Sequence, residues 1–276
     1  MAPKRSIIIT GGASGIGLGI TQHFITEPET HITILDISSA AGTQTLERLH
    51  AEFPLASVSF EQCDVSSWES QAEVFNRVVD QQGRIDIVFA NAGITEKGTL
   101  LPEKDGDKTK DPVKPDLSTL NVNLVGVVYS IKLATHYMSY TSDTASTSKG
   151  LIVCTASNAG LYPFAMAPMY AATKAGVIGL VRSLAPSLAV ERIQINALAP
   201  AVIQTNIAPS SALFDSMILT PMSTVTKGVA QFVADPSLTG QVAELHGEHV
   251  TFAEPPAYVD EDTGKNIAMF SSLGYA

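Results

Sequence analysis

Short apolar runs alternate along the chain with stretches of helical period. Ser6-Ile7-Ile8-Ile9-Thr10 is apolar at consecutive positions, rich in β-branched residues and closed by glycines. That pattern predicts a strand covered on both faces. Ile16, Ile20 and Phe24 then recur at the spacing of one helix face. The same unit repeats: a strand over His31–Leu35, a helix over Ala40–Phe53, a strand over Val58–Cys63, a helix over Trp68–Gln82 and a strand over Ile85–Ala90. Further on come a long helix over Leu117–Met138, a strand over Leu151–Cys154, a helix over Met169–Val190 and strands at Ile193–Leu198 and Gln241–Leu245. This alternation predicts an α/β class: one doubly wound parallel sheet of about seven strands, with helices on both faces.

The interruptions are informative too. Thr95–Asp116 is rich in lysine and proline, and Tyr140–Lys149 in serine and threonine. Neither has an apolar period, so both read as surface loops. Pro186 lies inside a predicted helix, where it removes a hydrogen bond and crowds the Arg182 carbonyl, so a kink or an early end is expected there. Ile207–Met222 mixes Phe214, Met217, Ile218 and Leu219 with Ser and Pro, the make-up of an apolar lid. From His246 to Ala276 the chain has little period and reads as a C-terminal tail. With 276 residues, 45% of them hydrophobic, one catalytic-sized domain spanning 1–276 can bury a sizeable core.

Charge narrows the partners. Seventeen basic against 27 acidic side chains give a formal net charge of −10, and no basic block stands beyond Lys4-Arg5. A nucleic-acid surface is therefore not expected. No run approaches the ~20 apolar residues of a membrane span. The first residues are too short an apolar stretch for a signal-peptide core. Cys63 and Cys154 both sit in strand-like runs, as buried free thiols of a reducing compartment would. A cytoplasmic protein is expected. His246-Gly247-Glu248-His249 matches no helix-based zinc spacing and lacks a third ligand, so no metal is expected.

Candidate chemistry gathers at the carboxyl ends of the predicted strands, where open α/β sheets bind ligands. After the first strand comes Gly11-Gly12-Ala13-Ser14-Gly15-Ile16-Gly17 and then a helix. A strand, a glycine loop and a helix start bring backbone amides to a pyrophosphate, the Rossmann arrangement, with Gly11, Ser14, Gly15, Ile16 and Gly17 as its contacts. Asp36 ends the next strand, 19 residues past Gly17, where a dinucleotide's adenine ribose is held. Its carboxylate repels a 2′-phosphate and no cation in the loop offsets it, so NAD is favoured over NADP. Asp64, Asn91 and Ser157 end later strands on the same rim. Tyr170 and Lys174 are four residues apart, on one helix face. An ammonium there favours phenolate and would bring the tyrosine toward acid/base work near neutrality.

Together Thr10, the Gly-x-x-x-Gly-x-Gly loop, Asn91-Ala92-Gly93, Asn123, Ser157, Tyr170 and Lys174 resemble the short-chain dehydrogenase/reductase family from about Ser6 to Leu245. The likeness is greatest to its NAD-dependent, hydroxyprostaglandin-dehydrogenase-like members, carried by Phe60–Val65, Asn123-Leu124-Val125 and Gly176–Ser183. The resemblance implies that Tyr170 exchanges a proton with the substrate oxygen and Ser157 hydrogen-bonds it. It implies that Lys174 lowers the Tyr170 pKa and holds the nicotinamide ribose, and that Asn123 helps relay protons. Asp64 and Val65 would flank the adenine. Asn91, Ala92 and Gly93 would support the cofactor side, and Pro200, Ile203 and Thr205 the nicotinamide. Homodimers or homotetramers are implied as well. Three departures stand out: Ala90 replaces a frequent second Asn, Ala201 stands where Pro-Gly is usual, and Pro186 falls in the helix used for subunit contacts.

The expected activity is NAD-linked interconversion of a secondary alcohol and a ketone. Leu161, Phe164, Met166, Phe214 and Met217 point to an apolar small-molecule substrate. A same-scaffold isomerase, dehydratase or cyclase, and an NAD-binding regulator without turnover, are the alternatives.

Overall fold

The computed structural model describes residues 5–101, 111–140, 148–207 and 214–273. Eight strands form one sheet: β1 (Arg5–Thr10), β2 (Thr30–Asp36), β3 (Ser57–Gln62), β4 (Ile87–Ala90), β5 (Gly150–Thr155), β6 (Ile193–Pro200), β7 (Val242–His246) and β8 (His249–Phe252). Their order is β3-β2-β1-β4-β5-β6-β7-β8. All neighbours run parallel except the β7/β8 hairpin, with Ile7 paired to Ile32 on one side of β1 and to Ile87 on the other. The sheet thus reverses direction of growth between β1 and β4. A crevice opens there beyond the strand carboxyl ends.

The two-faced burial expected of β1 is present. Ile7 and Ile9 join one apolar layer, with Ile20 and Phe24 of α1 (Gly15–Phe24) and with Val225 and Phe232 of α7 (Met222–Ala234). Ile8 joins the other, with Val74 and Phe75 of α3 (Trp68–Gln82), Ile131 of α5 (Gly126–Ser139) and Val177 of α6 (Pro168–Val190). Local chemistry sets the helix limits. Ser38 accepts from the Ala41 N–H at the start of α2 (Ser39–Glu52), and Ser67 accepts from the Ser70 N–H at the start of α3. Gly83, with φ +76°, closes α3.

Several expectations are corrected. The long helix predicted over Leu117–Met138 contains α4 (Ser118–Leu120), a π-helical turn (Asn121–Val125) and α5. Pro186 does not end α6, which continues to Val190. The tail is not featureless. It contributes an eighth strand, antiparallel to β7, and α8 (Glu261–Leu273). Helix α7 was not among the predicted elements, although Val225, Val229 and Phe232 repeat at helical spacing. It takes Met222 from the end of the predicted lid, and the Met222 side chain packs where a Cβ on Gly19 would otherwise sit. Parts of three predicted surface segments, 102–110, 141–147 and 208–213, lie outside the described residues. Both cysteines are buried and free. Among the described residues, no helix is long and apolar enough to cross a membrane and no group of His, Cys, Asp and Glu could hold a metal.

Candidate active site

A cleft of about 490 Å³ lies at the β1/β4 crevice. Gly11, Ser14, Gly15, Ile16, Asp36, Asp64 and Val65 line one part of it, and Asn91, Ala92, Gly93, Pro200, Ile203 and Thr205 another. Ser157, Tyr170 and Lys174 converge in the same cleft. Of the predicted catalytic and cofactor-binding residues only Gly17 and Asn123 are absent from its wall, and Leu161, Phe164, Met166, Phe214 and Met217, read as pointing to an apolar substrate, do not line it either.

The glycine loop is shaped to let something approach. Gly11 has φ +63° and Gly15 φ +51°, both in the left-handed region. Helix α1 begins at Gly15 with no side-chain cap from Ser14, so its first amides keep their donors for a ligand. Gly17 lies behind the loop. A Cβ there would sit 2.3 Å from the Gly11 carbonyl oxygen and 2.7 Å from Asn91 Nδ2. Gly17→Ala is therefore expected to lower stability by about 1–3 kcal/mol, the range for overpacking, and to displace the loop. A thermal melt with and without dinucleotide checks this, and an unchanged melt would contradict it.

The strand ends are knitted together. Thr10 Oγ1 accepts from the Asn91 and Ala92 N–H groups at 2.9 and 3.0 Å. Asn91 Nδ2 donates to the Thr10 carbonyl, and Thr155 Oγ1 donates to Asn91 Oδ1. Asn91 thus joins β1 to β5 by its amide, a structural task. At the end of β2, Asp36 accepts from the Ala13 N–H through Oδ2 at 3.4 Å and from the Ser38 N–H through Oδ1 at 3.2 Å. The cations among the described lining residues, Lys97 and Lys174, belong to the β4 loop and α6, away from the β2 turn. Asp64 Oδ1 accepts from the Ser66 N–H and hydroxyl, which holds the turn after β3. Gln71, fully buried, donates to the Val65 and Gly126 carbonyls.

At the other end, Lys174 is 3% exposed and its Nζ donates to the Thr155 carbonyl at 2.7 Å. Burial pulls the ammonium down to about 8, against a small opposing pull from Cys154. The Cys154 thiol is itself pushed up to about 12 by burial. Burial also raises the Tyr170 phenol, and a hydrogen bond with Ser157 acts the other way. The expected lowering by Lys174 is absent. The ammonium faces the β5 carbonyl and lies 5.5 Å from the centroid of the tyrosine ring.

Asn123 sits in the π-helical turn, fully buried. Its Oδ1 accepts from the Ile94 N–H and its Nδ2 donates to the Ile94 carbonyl, both at 2.8 Å. The Asn123 side chain therefore clamps the β4 loop, keeping one donor and one lone pair. A Cβ on Gly93 would lie 3.3 Å from Asn123 Oδ1 and 3.6 Å from Lys174 Nζ, so Gly93 is where these two groups come near each other. Ile37, Lys97, Thr155 and Asn206 also line the cleft and were not predicted. Only Thr155 had a local signal, as the strand-end residue beside Ser157.

A family profile described as short chain dehydrogenase matches residues 5–214. The chain belongs to the short-chain dehydrogenase/reductase family. The short-chain dehydrogenase/reductase prx7 of Penicillium rubens is 29% identical over 245 residues, covering 87% of this chain and 84% of that protein. The NAD(+) 15-hydroxyprostaglandin dehydrogenase of Homo sapiens is 32% identical over 205 residues, covering 74% of this chain and 70% of that one. The crystal structure of gox2181 aligns at a TM-score of 0.72 and 28% identity, over 88% of this chain and 94% of that one. An actinorhodin polyketide ketoreductase variant with NADPH, 23% identical, aligns at a TM-score of 0.74 and shares the fold. Family membership makes this chain a short-chain oxidoreductase with a nicotinamide-cofactor cleft.

Proposed function

We propose that this short-chain dehydrogenase/reductase interconverts a secondary alcohol and a ketone on a largely apolar small molecule, with NAD as its cofactor. The observation that carries the reading is the convergence of Ser157, Tyr170 and Lys174 in the cleft that presents the glycine loop and Asp36. The uncapped start of α1 and the left-handed Gly11 and Gly15 fit a pyrophosphate, and Asp36 fits an unphosphorylated ribose. A bound nicotinamide supplies the hydride acceptor or donor.

The chain's own residues handle the proton and the substrate oxygen. The Ser157 and Tyr170 hydroxyls belong to the same cleft and hold that oxygen. In reduction Tyr170 donates its phenolic proton to it; in oxidation it accepts the alcohol proton. Lys174 keeps a positive charge beside the tyrosine. Ile94, Ile203 and Ile207 line the cleft, a setting for an apolar substrate. The exposed faces of α5 at Val128 and of α6 at Ala175 and Gly179 support a homo-oligomer.

The test is absorbance at the reduced-nicotinamide band with a panel of apolar secondary alcohols and NAD. A rise is expected. Turnover of substrate without that rise would indicate isomerase or dehydratase chemistry, and cofactor binding without turnover a regulator.

A pH dependence follows from Lys174. Ketone reduction needs Tyr170 as phenol and Lys174 as ammonium. Burial keeps the phenol protonated at neutral pH. Lys174 is charged below about 8 and neutral above it. Reduction should therefore be level at lower pH and fall as pH rises through about 8. Oxidation needs the phenolate, so below that point its rate should rise with pH. Initial rates in both directions check this; a reduction rate that climbs through the same window would contradict it.

A further inference from the structure

The loop leaving β4 carries a carboxylate that the motifs do not mark. Glu96 accepts from the Met169 N–H through Oε1 at 3.1 Å and from the Tyr170 N–H through Oε2 at 2.7 Å. These are the second and third residues of α6. The helix has no cap of its own. Ala167, at the N-cap, offers no side-chain acceptor, and Pro168 has no N–H. The Ala167 N–H reaches the Phe164 carbonyl, and the Ala171 N–H already closes the first helical bond to Ala167. One carboxylate thus satisfies both donors that the first turn leaves open. The bonds are charge-assisted, and the helix dipole favours an anion at this end.

The rest of the loop is committed as well. Ile94 is clamped by Asn123 in both directions. The Thr95 carbonyl accepts from the Thr119 hydroxyl, and the Lys97 N–H donates to the same hydroxyl oxygen. Ile94, Thr95 and Lys97 line the cleft. Four consecutive residues therefore tie the cleft wall to Asn123 and Thr119 on one side and to the main chain of Tyr170 on the other. On the reading of Tyr170 as the acid/base, we propose that Glu96 is a positioning residue that holds Tyr170 in register with Asn123 and the cleft wall. A plain cap would only stabilise α6. A register device also sets where the phenol lies, and misplacement by about 1 Å can cost on the order of 10²-fold in rate.

Glu96→Ala and Glu96→Gln are compared with Tyr170→Phe, and Ala167→Ser is added to Glu96→Ala. Glu96→Gln keeps the side-chain size but turns an amide donor toward one of the two N–H groups, and carries the test if Glu96→Ala does not fold. Expected is a fall in kcat of roughly tenfold to a hundredfold in both Glu96 variants, with the Kd for NAD within about twofold. Ala167→Ser supplies a local cap. In the double variant it should restore the melting temperature and leave kcat low. If kcat recovers together with the melting temperature, Glu96 is a plain cap and the inference fails. A slow Tyr170→Phe beside Glu96 variants of native rate would sink this inference alone. A Tyr170→Phe of native rate would sink the acid/base reading, and this inference with it.

Discussion

Tyr170→Phe is expected to lower turnover by a factor on the order of 10² to 10⁴, the usual contribution of a general acid/base. The reason is local. Tyr170 lines the cleft together with Ser157, and removing its oxygen removes the group read as exchanging the proton with the substrate oxygen. Phenylalanine keeps the ring and its packing. Lys174 keeps its bond to the Thr155 carbonyl, so the cofactor end of the site should be undisturbed. Single-turnover rates and NAD dissociation constants on native and variant protein separate these effects. A variant that turns over at the native rate would show that the proton travels another way.

The second large effect concerns cofactor choice. Asp36→Ala is expected to weaken NAD roughly tenfold to a hundredfold, because charge-assisted hydrogen bonds to the ribose hydroxyls contribute about 1.5–3 kcal/mol. The same change should improve NADP relative to the native protein. A 2′-phosphate brings about two negative charges toward this carboxylate, and neither Lys97 nor Lys174 stands at the β2 turn to offset them. Asp36 also accepts from the Ala13 and Ser38 N–H groups. Some loss of order in the turn therefore accompanies the substitution, and it would weaken both cofactors alike. The decisive quantity is the ratio of the two dissociation constants. Were the native protein to prefer NADP, or the ratio to stay put in the variant, Asp36 would have no part in reading the ribose.

Much of the fold was legible because each element carries its own signal. The continuous apolar run of β1 requires cover on both faces, and Ile8 does point to the opposite layer from Ile7 and Ile9. Ser38 and Ser67 mark helix starts by a cap that acts within three residues. Elements whose stabilisation comes from elsewhere were harder to read. The short strand β8 exists because Val250 and Thr251 pair with Leu245 and Glu244 of β7. Pro186 removes one donor from α6, yet Val181 and Ala185 before it are buried and Leu188 beyond it packs against the same apolar layer, and the helix runs on to Val190.

The site divides in the same way. Strand, glycine loop, Asp36, Ser157 and the Tyr170–Lys174 pair were readable because strand ends and helix turns place side chains at fixed local offsets. That reading determined the fold class, the rim on which the chemistry gathers and the family. Tertiary structure decided what those groups feel. Lys174 turns to the carbonyl of Thr155, 19 residues away, its burial moves the ammonium to about 8, and the burial of Tyr170 raises the neighbouring phenol. Asn123 spends its amide on Ile94, and Glu96 reaches the Tyr170 N–H across 74 residues of chain. Spacing along a chain encodes which groups share a face. Desolvation and distant hydrogen-bond partners depend on which segments fold against that face, and no local pattern records them.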